Sequence, residues 1–67
     1  MVVNIESIPV KDETAETEER WFSSIQFFLP EGEYFMVWRS DWSFESKLEA
    51  ESEGVEKIIR MFAKALG

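Results

Sequence analysis

Apolar positions along this chain follow a two-residue period over its first two-thirds and a helical period at its end. Val3 and Ile5 alternate with polar neighbours in a β-branched opening segment, which predicts a strand at about 2–8. Five of the eight residues from Asp12 to Glu19 are acidic and none is basic, so 9–19 reads as a solvated acidic loop. Trp21, Phe22, Ile25, Phe27 and Phe28 mark a second strand at about 20–29. The run Leu29-Pro30-Glu31-Gly32 suits a tight turn with Gly32 in the left-handed conformation, and a third strand follows at 33–39. Ser40-Asp41 reads as a second tight turn. Beyond it Trp42, Phe44, Ser46, Leu48 and Ala50 alternate with Ser43, Glu45, Lys47, Glu49 and Glu51, predicting a fourth strand at 42–50.

The period then changes. Val55, Ile58, Ile59, Phe62, Ala65 and Leu66 recur at helical spacing, and Ser52 with Glu53 and Glu56 makes an acidic helix start. Glu53–Lys57 and Glu56–Arg60 are i,i+4 pairs in the favourable order. A helix at about 53–66 is therefore predicted, with Gly54 costing roughly 1 kcal/mol if it lies inside. The expected architecture is α+β: a four-stranded antiparallel meander (ββββα) with one C-terminal helix packed on one face, forming a single small domain over 1–67.

The turn residues also set a register. Leu29 should oppose Glu33, Phe27 oppose Phe35 and Ile25 oppose Val37. One face then gathers Ile25, Phe27, Leu29, Phe35, Val37, Trp42, Phe44 and Leu48 as a core beneath the helix. The other face carries Phe22, Phe28, Tyr34, Met36 and Trp38, with Glu45, Lys47 and Glu49 beside them. One helix covers only one face. This second face is the candidate interface, unless the acidic loop or the first strand folds over it.

Composition narrows the chemistry. Fourteen acidic residues against seven basic ones give a net charge of −7, which disfavours nucleic acid and anionic membranes as partners. Cysteine and histidine are absent, which removes disulfides, the usual structural zinc sites and a His-activated nucleophile. The three glycines lie too far apart for a phosphate loop, and the seven serines lack nucleophile-elbow glycines. The acidic loop lacks the alternating ligands and central glycine of a calcium loop. No catalytic, metal or cofactor-binding residue is therefore assigned, and no motif of a known family is carried by these residues. Twelve of the fourteen acids are Glu, with one Asn and one Gln, a composition of the kind found in hyperthermophile proteins. Met1 to Glu6 lack the basic start and apolar run of a signal peptide, so a cytoplasmic location is expected.

A chain this small and without cross-links must pack densely or associate. The leading expectation is a non-enzymatic protein-interaction module that self-associates through the aromatic face, or meets another protein there. The alternatives are an acidic decoy that fills the basic site of a partner, and a small-ligand binder with a pocket between sheet and helix.

Overall fold

The computed structural model describes residues 3–66, and Val2 of the predicted first strand lies outside the described residues. The fold is α+β: an antiparallel three-stranded sheet in the order β1-β2-β3, followed by one C-terminal helix. Strand β1 spans Asn4–Lys11, β2 Trp21–Phe28, β3 Tyr34–Phe44, and helix α1 Lys47–Leu66. β1 continues three residues past the predicted end, through Pro9, which stands opposite Ser23. Because β1 is an edge strand, a residue without an N–H can sit there without breaking a ladder between two neighbours.

The predicted fourth strand does not form. Its first residues extend β3, and from Lys47 onward the chain is helical. The Ser40-Asp41 turn is replaced by an irregularity within one long strand. Arg39 pairs with Ser24 and Ser43 with Phe22, so Ser23 alone faces Ser40 to Trp42. The Ser40 hydroxyl holds this bulge together. It accepts a hydrogen bond from the Ser23 backbone N–H at 3.0 Å and donates to the Trp42 carbonyl at 2.6 Å. A side chain takes the place of a ladder bond, so the strand bends without reversing.

The helix starts six residues before its predicted position. The Ser46 side chain accepts a hydrogen bond from the Glu49 backbone N–H at 3.1 Å, and the Ala50 N–H reaches the Ser46 carbonyl at 3.2 Å. Ser46-Lys47-Leu48-Glu49 is thus a Ser-x-x-Glu capping sequence, a stronger start signal than Ser52. The alternation over Trp42–Ala50 arose by chance from a strand end joined to a first helical turn. Of the two predicted helical pairs, Glu56–Arg60 forms at 2.5 Å. Lys57 turns from Glu53 to the Trp38 ring, 5.3 Å from its centroid.

Gly54 lies inside the helix and is fully buried. A Cβ there would overlap the Ser7 hydroxyl and come within 2.8 Å of the Ser7 Cβ and 3.0 Å of the Ser23 hydroxyl. Ser7 belongs to β1 and Ser23 to β2, so the helix axis crosses the seam between these strands at this point. Ser7 also donates to the Glu51 carbonyl at 2.7 Å, tying the sheet to the helix backbone. The helix packs on β1 and β2 and meets β3 only sparingly.

The result is a thin molecule of 42 × 31 × 17 Å. Its radius of gyration, 13.1 Å, exceeds the roughly 11 Å of a compact domain of this length. Among the described residues only Ile25 and Ala50 are fully buried hydrophobics. Of the predicted core, Ile25 is buried and Phe27 is half-buried, whereas Phe35, Val37, Trp42 and Leu48 are exposed.

The close contact at Gly54 is directly testable. Gly54→Ala raises intrinsic helix propensity by about 1 kcal/mol. Overpacking against Ser7 and Ser23 outweighs that gain, so thermal denaturation should show a net loss of about 1–2 kcal/mol. An unchanged or higher melting temperature would contradict this packing.

Candidate functional site

The Pro30-Glu31-Gly32 turn and the first part of the register follow the sequence expectation. Gly32 has φ 96°, its N–H donates to the Leu29 carbonyl at 3.0 Å, and the Leu29 N–H donates to Glu33 at 2.8 Å. Phe27 stands opposite Phe35 and Phe28 opposite Tyr34. The register then departs. Met36 pairs with Gln26 and Trp38 with Ile25, leaving Val37 as the extra residue of a bulge. Ile25 therefore opposes Trp38 instead of Val37.

One inserted residue changes the face of everything after it. Phe22, Phe28, Tyr34 and Met36 lie on the face turned away from the helix, as expected. Trp38 does not. It stands on the helix side with Ile25, where Lys57 covers its ring. Arg39 takes the outer position beside Ser24, and its guanidinium lies 4.5 Å from the centroid of the Phe22 ring.

The outer face is consequently less uniform than an unbroken aromatic patch. Phe28 and Tyr34 stack with centroids 5.8 Å apart, and Met36 lies beside them in sequence order on β3. Phe22 sits at the other end under Arg39. Between the two ends lie Ser24 and Gln26, both buried. Gln26 donates to the Ser24 hydroxyl at 3.3 Å, and Ser24 donates to the Ile8 carbonyl at 2.6 Å. A satisfied polar row thus divides an apolar island at the hairpin end from a cation-covered ring at the other.

The acidic segment closes on itself and belongs to the end of the sheet. The Asp12 N–H donates to the Arg20 carbonyl at 2.8 Å. The Asp12 carboxylate accepts from the Thr14 N–H at 2.9 Å and the Thr14 hydroxyl at 2.6 Å. These bonds, first the hydroxyl and then the backbone, hold the Asp12 carboxyl below its usual range. Arg20 in turn donates to the Ser43 side chain at 2.7 Å and the Ser43 carbonyl at 2.6 Å. No cluster of three or more His, Cys, Asp or Glu among the described residues is arranged to hold a metal. Nor is any helix among them long and apolar enough to cross a membrane.

A second apolar surface was not anticipated as an open one. Small residues face the sheet: Ala50 and Gly54 are its buried helical contacts. Of the large ones, Ile58 and Met61 line the sheet side, while a stripe of five turns aside. Leu48, Val55, Ile59, Phe62 and Leu66 are all exposed, from 45% at Val55 to 88% at Leu66. At about 100° per residue, this stripe centres roughly a third of a turn from Gly54. The apolar stripe was legible in the sequence; its rotation away from the sheet was not. Gly54 was read as a dissonance, although small residues at 50 and 54 are the signal of a close helix–sheet approach.

An apolar cleft of about 220 Å³ opens where the stripe meets the sheet, lined by Ile5, Ile25, Phe27, Ile58, Met61 and Phe62 among others. Its walls offer no convergent polar groups to orient a ligand. No family model, curated protein or solved structure matches this chain.

Two measurements check this description. Met36→Glu points a charge outward and should leave stability within about 1 kcal/mol. Trp38→Glu replaces a ring under Lys57 and beside buried Ile25, and should cost about 2 kcal/mol or more in chemical denaturation. Equal effects would contradict the bulge. For the acidic loop, a carboxyl held low stabilises the fold above its unfolded value and ceases to do so as pH falls through its folded value. The stability difference between wild type and Thr14→Val should therefore be present at neutral pH and shrink in acid. A difference that grows in acid would contradict the Asp12–Thr14 bonds.

Proposed function

We propose that this chain is a small non-enzymatic protein-interaction module that self-associates. The observation that carries the reading is area. The chain exposes 5126 Å² of surface, whereas a compact monomer of 7.9 kDa exposes about 4,400 Å². The surplus of about 700 Å² is close to the roughly 800 Å² that each partner contributes to a standard interface.

The character of that surface supports the same reading. Tyr34, Phe35, Met36, Val37 and Trp42 on β3, with six large side chains on α1, are all more than two-fifths exposed. Of these, Leu48, Val55, Ile59, Phe62 and Leu66 form one continuous helical stripe, which soluble monomers seldom leave in water. Net repulsion between acidic copies opposes association, but physiological salt screens it within about 8 Å, while apolar burial is unscreened. Open to a second copy are the outer face of the sheet, the helix stripe and the helix side of β3 that α1 leaves uncovered.

Solution mass at low and high micromolar concentration tests the proposal. Mass should rise above 7.9 kDa with concentration. The melting temperature should rise with it, because association stabilises the folded state by mass action. A mass of 7.9 kDa and a constant melting temperature across that range would overturn self-association.

A further inference from the structure

We infer that the surface covered by the second copy is the helix stripe, with the two helices packed antiparallel and the β1 edges side by side. This rests on the self-association proposed above and names the surface that performs it. Three independent features lead to it.

The first is the spacing of the stripe. Leu48, Val55, Ile59, Phe62 and Leu66 follow one another at intervals of seven, four, three and four residues. Such intervals keep one seam of a helix apolar along its length. Helix α1 has 20 residues and is about 30 Å long, so the stripe runs almost from end to end. It is also self-complementary. A two-fold axis beside Lys57 sets Leu48 against the partner's Leu66, and Val55 against the partner's Ile59. The sheet face has no comparable seam, since Ser24 and Gln26 interrupt it and Arg39 covers Phe22.

Charge along the helix supplies the second feature and chooses the direction. Glu49, Glu51, Glu53 and Glu56 outweigh Lys47 in the first half; Lys57, Arg60 and Lys64 occupy the second. Parallel copies would lay acid on acid and base on base. Antiparallel copies set each net-acidic half beside a net-basic one at long range, the cations facing away from the seam, and their helix dipoles oppose.

The third feature is where the helix sits. Gly54 fixes its axis above the seam of β1 and β2, between Ser7 and Ser23. Lys57, on one flank, reaches Trp38 of β3. The stripe lies on the opposite flank, above β1, where Phe62 shares the apolar cleft with Ile5. β1 is an unpaired edge of the sheet. With strands about 4.8 Å apart, two β1 edges brought together across a two-fold axis would set the helices about 10 Å apart. That is the upper end of the 8–10 Å at which helices pack. Strand spacing and helix packing are thus satisfied by one arrangement. Pro9 has no N–H to donate, so edge-to-edge contact falls on Asn4–Ser7. The partner helix also closes the open side of the cleft over Phe62.

Single substitutions on the two surfaces decide between them, read by sedimentation equilibrium with far-UV circular dichroism as the check on folding. Ile59→Glu should weaken self-association at least about tenfold while leaving helix content unchanged, since Ile59 is 61% exposed in one chain. Leu66→Glu, at the exposed end of the helix, should act in the same direction and serves if Ile59→Glu fails to fold. Tyr34→Glu on the sheet face should leave the association constant unchanged. Loss of association in Tyr34→Glu with none in the helix variants would overturn this inference and leave self-association standing. A monomeric wild type would overturn both.

Direction is read separately, because the chain has no cysteine of its own. Mixing Leu48→Cys with Leu66→Cys protein under mild oxidation should give mainly the mixed disulfide. A predominance of links between like positions would overturn the antiparallel arrangement.

Discussion

The close approach of Gly54 to Ser7 and Ser23 governs the rest of the molecule. A helix laid on a sheet through large side chains stands well clear of it and chooses its own rotation. Here the absent Cβ at position 54 lets the helix backbone descend until the Ser7 hydroxyl donates to the Glu51 carbonyl. That contact sets the position of the helix and its rotation together. Small residues turn inward together with Ile58 and Met61, and the bulky residues of the stripe turn outward. The modest burial of Ile58 and the exposure of Val55, Ile59 and Phe62 are consequences of one glycine.

The bulges in β3 have a similarly long reach. The extra residue at Val37 moves Trp38 to the helix side and puts Arg39 outside, and the Ser40 bulge keeps the strand running where a turn was expected. Cations then replace part of the missing apolar cover. Lys57 lies over Trp38, Lys47 lies 5.1 Å from the Trp21 centroid, and Arg39 lies over Phe22. Each sets its charged group over a ring face, so the rings are capped without a second layer of hydrophobic residues. Such shielding is thin. With two fully buried hydrophobic residues among those described, a second copy would contribute area that the single chain lacks.

The physical logic of the proposed assembly follows from this. Among the described residues no cluster of three or more His, Cys, Asp or Glu is arranged to hold a metal, while apolar surface is ordered along one helix. Burial of that stripe would add to folding stability as well as to affinity, so that folding and association become linked. The acidic balance acts on a different scale, since a net charge of −7 sets copies of the chain in mutual repulsion at long range.

What the amino-acid pattern by itself determined was local. The hairpin at Pro30-Glu31-Gly32, the pairing of Phe27 with Phe35, the β-branched opening and the apolar stripe of the helix are each encoded by residues within a few positions of one another. The Ser46–Glu49 cap was equally local and equally readable, but the alternation across 42–50 matched a strand by coincidence. Phe28, Tyr34 and Met36 were legible as one face because they lie close to the turn that sets their register, and Phe22 because it alternates in step with Phe28 along β2. Trp38 was not, since a bulge opposite Ile25 depends on how two strands twist against each other and against the helix. Which way the helix faces was decided only in three dimensions. Periodicity marks the apolar side of a helix, but the depth and rotation at which that helix docks depend on a steric contact between residues 7, 23 and 54, brought together from three separate elements.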